Sequence, residues 1–188
     1  MQYATLPAHI IDAIWIIFIL VWVISMFSAK RTMRQSGVNW LTYRIITIII
    51  IVIIIHYVGV KVLIFGYVPN LSLQWLGAVL VTIGAAVAIS ARFYLGRNWG
   101  MPMTVKENAE LVTTGPYAYV RHPIYAGVLV SIIGSAAAFG LLWVIILVVY
   151  IGYFVPSIFV EEKIMANLFP ETYPAYRART KRLIPWVW

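Results

Sequence analysis

Two stretches of this chain concentrate side chains that can bind or react. The first reads Glu110-Leu111-Val112-Thr113-Thr114-Gly115-Pro116-Tyr117-Ala118-Tyr119-Val120-Arg121-His122-Pro123-Ile124-Tyr125-Ala126-Gly127. Gly115-Pro116 marks a turn. Pro123 suits the first position of a helix, where its missing N–H costs nothing. A helix opening at Arg121-His122-Pro123 turns its free N–H groups and positive dipole end outward, a seat for a carboxylate. Arg121 and His122 add donors at the same place. The second stretch holds Glu161-Glu162 and then Phe169-Pro170-Glu171-Thr172-Tyr173-Pro174-Ala175-Tyr176-Arg177. Paired carboxylates can bind an ammonium group. Tyr173 and Tyr176, spaced i, i+3, share one helical face, and aromatic rings attract a cation, a sulfonium included.

Together these groups complement a ligand with a carboxylate, an ammonium and a sulfonium, the set that S-adenosylmethionine carries. A plainer assignment uses the same residues. Arg121 and His122 would be charges that set membrane topology, and Glu161-Glu162 a helix-end pair bonded to Lys163 and Arg177.

The elements that must position these stretches are membrane helices. Of 188 residues, 63% are hydrophobic and 11% charged, with a mean hydropathy of +0.91; a soluble domain carries about 25% charged residues. Apolar runs reach the about 20 residues that cross a bilayer. The first span is Ile10 to Phe27, the second Ile45 to Phe65, the third Leu73 to Leu95. Residues 123–160 form 38 residues without a charged side chain. As one helix they would extend about 57 Å, nearly twice the hydrocarbon thickness of about 30 Å. They must fold back, with the turn at Ala136 to Gly140, into spans near 123–138 and 141–160. The fold class is therefore all-α, a polytopic membrane protein of five transmembrane helices with a C-terminal helical hairpin. It forms one domain over 1–188, with two N-terminal spans in 1–72 and a binding core in 73–188.

Charge distribution orients the bundle. Net charge is +8, from 14 Lys and Arg against 6 Asp and Glu. In a soluble protein that excess would raise nucleic acid as a partner; here membrane topology accounts for it. With five spans, every Lys and Arg except Lys61 falls on one side. The positive-inside rule puts the N-terminus outside and the C-terminus in the cytoplasm. Residues 1–9 carry no Lys or Arg, unlike the start of a signal peptide, so the first run reads as a retained helix. Cysteine is absent, which excludes disulfides, thiolate metal sites and a cysteine nucleophile. Trp40, Trp75, Trp99, Trp186 and Trp188 lie at span ends as interfacial anchors do. Gly77, Gly84, Ala85 and Ala88 on span three, with Gly127, Ser131, Gly134 and Ser135 on span four, suit close helix packing.

The run Gly115-Pro116-Tyr117, Arg121-His122-Pro123-Ile124-Tyr125 and Gly127 resembles the signature of the isoprenylcysteine carboxyl methyltransferases and their phospholipid methyltransferase relatives. The second part of that pattern is also present, as Glu161-Glu162, Phe169, Tyr173, Tyr176 and Arg182-Leu183-Ile184-Pro185. The match covers residues 92–185. It implies methyl transfer from S-adenosylmethionine in a pocket at the cytoplasmic end of a helical membrane core. A lipophilic or lipidated substrate would enter from the bilayer. Carried over, the cofactor-binding positions are Ala109, Glu110, Leu111, Val112, Tyr117, His122, Pro123, Ile124, Tyr125 and Glu161.

One position departs from the pattern. Eukaryotic members carry a substrate-contacting arginine four residues before the first glutamate, where this chain has Ser157. The nearby cations left to meet a carboxylate acceptor are Arg92, Arg97 and Arg121. A carboxylate needs no general base, whereas an amine acceptor must first lose a proton. Glu162 and His122 are the candidates for that task, and Arg121 and Glu162 the candidates for a direct catalytic part. His56, in mid-span, is an intramembrane ionisable group that a hydrogen bond to a neighbouring helix would also explain.

Overall fold

The computed structural model describes residues 5–35, 70–100 and 104–188. Five α-helices appear among them: α1 (Leu6–Met26), α2 (Leu71–Leu95), α3 (Pro123–Phe139), α4 (Leu141–Leu168) and α5 (Tyr173–Arg179). Helices α1, α2 and α4 are long and apolar enough to cross a membrane; α3 is a shorter apolar helix of 17 residues. The expected second span, with His56 and Lys61, lies outside the described residues, as does Trp40 before it.

Glycine decides how α2 meets α3. A Cβ on Gly84 would stand 2.4 Å from the Gly127 carbonyl oxygen, and one on Gly127 would stand 2.5 Å from the Gly84 carbonyl oxygen. One heptad along, Gly77 and Gly134 approach in the same reciprocal way. The backbones touch, which no side chain at these positions would allow. Ser131 and Ser135 turn their hydroxyls back onto the carbonyls of Gly127 and Ser131, each at 3.0 Å, so these two buried hydroxyls are satisfied. Ser135 also accepts from the Trp15 indole at 3.0 Å, which ties α1 to the pair. The expected small-residue interface is therefore present.

Two expectations need correction. The chain reverses at Gly140 alone (φ 84°), and α3 runs helically through Phe139. Glu161 and Glu162 do not end a helix: α4 continues to Leu168. Its 28 residues make about 42 Å of helix, so the helix runs on beyond the turn that carries the glutamates. The expected all-α class holds, and the described residues add one short antiparallel ribbon, β1 (Thr32–Gln35) with β2 (Thr104–Lys106). Such short polar strands carry too little pattern to be read in advance.

The core has one cluster around Ala88, Tyr125, Val128, Ile132, Phe154 and Ile158, with Trp15, Phe18 and Trp22 of α1 packed against it. Trp15, Phe18 and Trp22 form a run of ring contacts along α1, and Trp99 meets Trp22 edge-on. Trp99 is thus part of the packing rather than a free interfacial anchor; Trp186, 86% exposed, fits the expected role better.

Candidate functional site

Helix α3 begins where the charged residues gather. Tail residues 180–182 run beside the strand-like segment before it: Val120 and Lys181 form a parallel bridge, and the Arg121 and His122 N–H groups donate to the Lys181 and Arg182 carbonyls at 2.8 and 3.0 Å. These two N–H groups are therefore occupied. The N–H groups of Ile124 and Tyr125, in the first turn of α3, have no intrahelical acceptor by geometry.

Glu162 lies between two guanidinium groups. Arg121 reaches it with both Nε and a terminal nitrogen at 2.8 Å, and Arg182 with Nε at 3.2 Å and a terminal nitrogen at 3.1 Å. The Arg121 and Glu162 side chains are each 7% exposed. The second terminal nitrogen of Arg121 donates to the carbonyls of Thr180 and Arg177. Glu162 thereby joins α4, the start of α3 and the tail. The alternative partners, Lys163 and Arg177, are not what holds it: the only Arg177 atom in this network is its carbonyl oxygen.

Glu161 faces the other way. It accepts from the Tyr125 hydroxyl at 2.5 Å, and His122 Nδ1 lies 3.5 Å from it. The rings of His122, Tyr125 and Phe154 stack in sequence, with centroids 5.5 and 4.1 Å apart. His122 Nε2 is buried without a hydrogen-bond partner, 3.9 Å from Glu162 Oε1. Burial disfavours the imidazolium, but Glu161 and Glu162 together outweigh it and raise the His122 pKa above its ordinary value.

Tyr117, in the single helical turn Gly115–Ala118, is buried beneath the tail, and its carbonyl accepts from the Tyr176 hydroxyl at 2.8 Å. Burial, with Tyr176 and Glu161 adding, pushes the Tyr117 hydroxyl far above its usual range against the pull of Arg92. Tyr173 and Tyr176 do share a buried face, with ring centroids 6.1 Å apart. Burial pushes the Tyr173 pKa up to about 12, with Glu162 adding and three arginines opposing.

The predicted positions thus divide. Tyr117, His122, Tyr125 and Glu161 interact directly or through their fields. Pro123 is buried and Ile124 packs on the core at the same helix start. Ala109, Leu111 and Val112 lie on the irregular segment leading to Tyr117. The exposed Glu110 side chain instead engages Lys30 and Asn98, at 3.4 and 3.2 Å. Sequence reasoning gave no role to Arg182, Thr180 or Phe154; only the close of the second motif at Arg182 hinted at one. Among the described residues, no group of three or more His, Asp or Glu side chains is placed to hold a metal ion.

This is a helical membrane protein with three helices long and apolar enough to cross a bilayer and a charged, partly buried cluster where α3 begins. The chain belongs to the phospholipid methyltransferase family, whose profile matches residues 72–172. Members of that family are membrane methyltransferases that use S-adenosylmethionine. The chain is 32% identical over 114 residues to the nickel-cobalt-cadmium resistance protein NccN of Alcaligenes xylosoxydans xylosoxydans, covering 59% of this chain and 52% of that one. It is 30% identical over 107 residues to protein-S-isoprenylcysteine O-methyltransferase of Schizosaccharomyces pombe, covering 55% and 45%. With protein-S-isoprenylcysteine O-methyltransferase B of Arabidopsis thaliana the identity is 27% over 136 residues, covering 64% and 66%. The chain spans about half the length of the first of these relatives.

Proposed function

We propose that this protein transfers a methyl group from S-adenosylmethionine to the carboxylate of a lipophilic acceptor, in the manner of an isoprenylcysteine carboxyl O-methyltransferase, at the cytoplasmic face of the membrane. The observation that carries the reading is the meeting of His122, Tyr125, Glu161 and Tyr117 where α3 starts, at the end of an apolar bundle. The residues present fit the cofactor. The unpartnered, buried His122 Nε2 and the first N–H groups of α3 suit its carboxylate, Glu161 suits its ammonium, and the Tyr117 and Tyr125 rings suit a cation. The bound cofactor would supply an electrophilic methyl group on a sulfonium; the chain's residues bind, orient and exclude water.

Phospholipid amines are the alternative acceptor, and the family's description favours them. The arrangement of the two candidate bases supports the carboxylate. Glu162 is committed to Arg121 and Arg182, and His122 is biased toward holding its proton by two carboxylates. A carboxylate acceptor requires neither.

Calorimetry on protein in detergent or nanodiscs should show binding of S-adenosylhomocysteine, with loss in His122→Ala and Glu161→Ala. A wild type that binds neither the cofactor nor its demethylated product refutes the proposal. Label transferred from radioactive cofactor should be released as methanol by mild base; label that survives base would identify an N-methyl product. A reporter fused after Trp188 should read cytoplasmic.

A further inference from the structure

We infer that Arg92 receives the anionic group of the acceptor and so selects a carboxylate; this rests on the methyl-transfer reading above. The ion pairs of the chain point to it. The chain has 6 acidic residues, and all of them lie among the described residues. Glu162 takes Arg121 and Arg182, Glu161 takes His122, and Glu110 takes Lys30. Asp12, Glu107 and Glu171 are exposed. Arg92 has none of them, although it is only 2% exposed.

Its surroundings hold the guanidinium still without neutralising it. One terminal nitrogen donates to the Gly96 carbonyl at 2.7 Å and the other to the Ser25 carbonyl at 2.6 Å. These are the carbonyl ends of α2 and α1, whose dipoles favour a cation. The Trp99 ring covers the guanidinium at 4.7 Å. Nε remains buried without a hydrogen-bond partner. A buried charge held by dipoles alone is costly until an ion completes it, and arginine's fork matches a carboxylate.

The other candidate cations among the described residues are unsuited. Arg121 and Arg182 already share Glu162, and Arg97 is exposed. Ser157 is fully buried and gives its hydroxyl to the Tyr153 carbonyl at 2.7 Å. The helix end that carries Arg92 also packs on the turn that carries Tyr117, since a Cβ on Gly115 would stand 2.5 Å from the Tyr94 ring, so the acceptor's anion and the methyl donor would share one region.

In the transfer, a carboxylate oxygen forms a bond to the methyl carbon as the bond from that carbon to the sulfonium sulfur breaks. The electron pair stays on sulfur and no proton moves. The ester product is neutral, so it loses its attraction to Arg92 and leaves more readily than the acid it replaced.

The test uses the full chain in phosphatidylcholine nanodiscs, with palmitate and its primary amide as probes. S-adenosylhomocysteine binding is measured first and reports the methyl-transfer reading separately. The wild type should hold palmitate about tenfold more tightly than the amide, about 1.4 kcal/mol. Arg92→Lys should keep part of that preference, Arg92→Gln should erase it, and Arg97→Gln should leave it intact. Cofactor-product affinity should persist in all three variants. An Arg92→Gln protein that binds S-adenosylhomocysteine and still prefers the acid as the wild type does overturns the assignment. So does a wild type that treats acid and amide alike, a comparison that stands even where Arg92→Gln fails to fold. Absence of S-adenosylhomocysteine binding with the palmitate preference intact would sink the methyl-transfer reading alone.

Discussion

Replacing Glu162 with glutamine keeps the shape of the side chain and removes its charge. The oxygens of Glu162 accept from Arg121 Nε and Arg182 Nε and are paired with terminal nitrogens of both arginines at 2.8 to 3.2 Å. The arginines stay charged, so the bonds that survive remain charge-assisted at about 1.5–3 kcal/mol each, and the loss is that of the contacts glutamine cannot make. Glutamine has one acceptor oxygen, and its NH₂ would face a guanidinium. The expected destabilisation is about 3 kcal/mol, at the low end of the about 3–5 that follows removal of one partner of a buried pair. At about 2–4 °C per kcal/mol for a chain of this size, the melting temperature in nanodiscs should fall by about 6–12 °C. Because Glu162 fastens the tail, amide exchange at residues 173–182 should accelerate before the bundle opens. In a double-mutant cycle, Arg121→Gln and Glu162→Gln should couple rather than add. A Glu162→Gln protein that melts with the wild type and keeps its tail protected would refute the view that this carboxylate joins three elements.

Gly84→Val places a branched side chain where even a Cβ would stand 2.4 Å from a backbone oxygen. The helices must separate, at a cost of about 1–3 kcal/mol or more, read as a lower melting temperature and weaker S-adenosylhomocysteine binding; Gly152→Ala, with nothing within 4 Å, is the neutral control. His122 has a folded pKa above its unfolded value, so the stability it contributes is complete below about pH 6.5 and is lost as pH rises through the folded pKa. Melting temperature should therefore decline over that range in the wild type and not in His122→Gln; a rise would contradict the assigned charge. Tyr125→Phe removes the hydroxyl that donates to Glu161 at 2.5 Å and keeps the ring stack, so it should lower cofactor-product affinity several-fold while costing stability only about 1–3 kcal/mol.

Much of the site could be read along the chain because its chemistry is local. His122, Pro123 and Tyr125 lie within one helical start, and Glu161 and Glu162 are adjacent. The packing of Gly84 on Gly127 was legible for a related reason: in a bilayer, close approach of helices demands small residues, and these are visible as letters. The two-stranded ladder and the extent of α4 were not legible. Their determinants are pairings across long separations, such as β1 with β2, which leave no periodic trace.

What the sequence determined by itself is that the chain lives in a membrane and carries two segments rich in charged and aromatic side chains, because hydropathy and motif spacing are one-dimensional properties. What only the tertiary structure decided is which charges neutralise which. Arg92, Arg121 and Arg182 are the same letter, yet two of them flank Glu162 and the third lies buried against two helix ends. Ion pairing depends on distances of a few ångströms between residues far apart in the chain, and folding alone sets those distances.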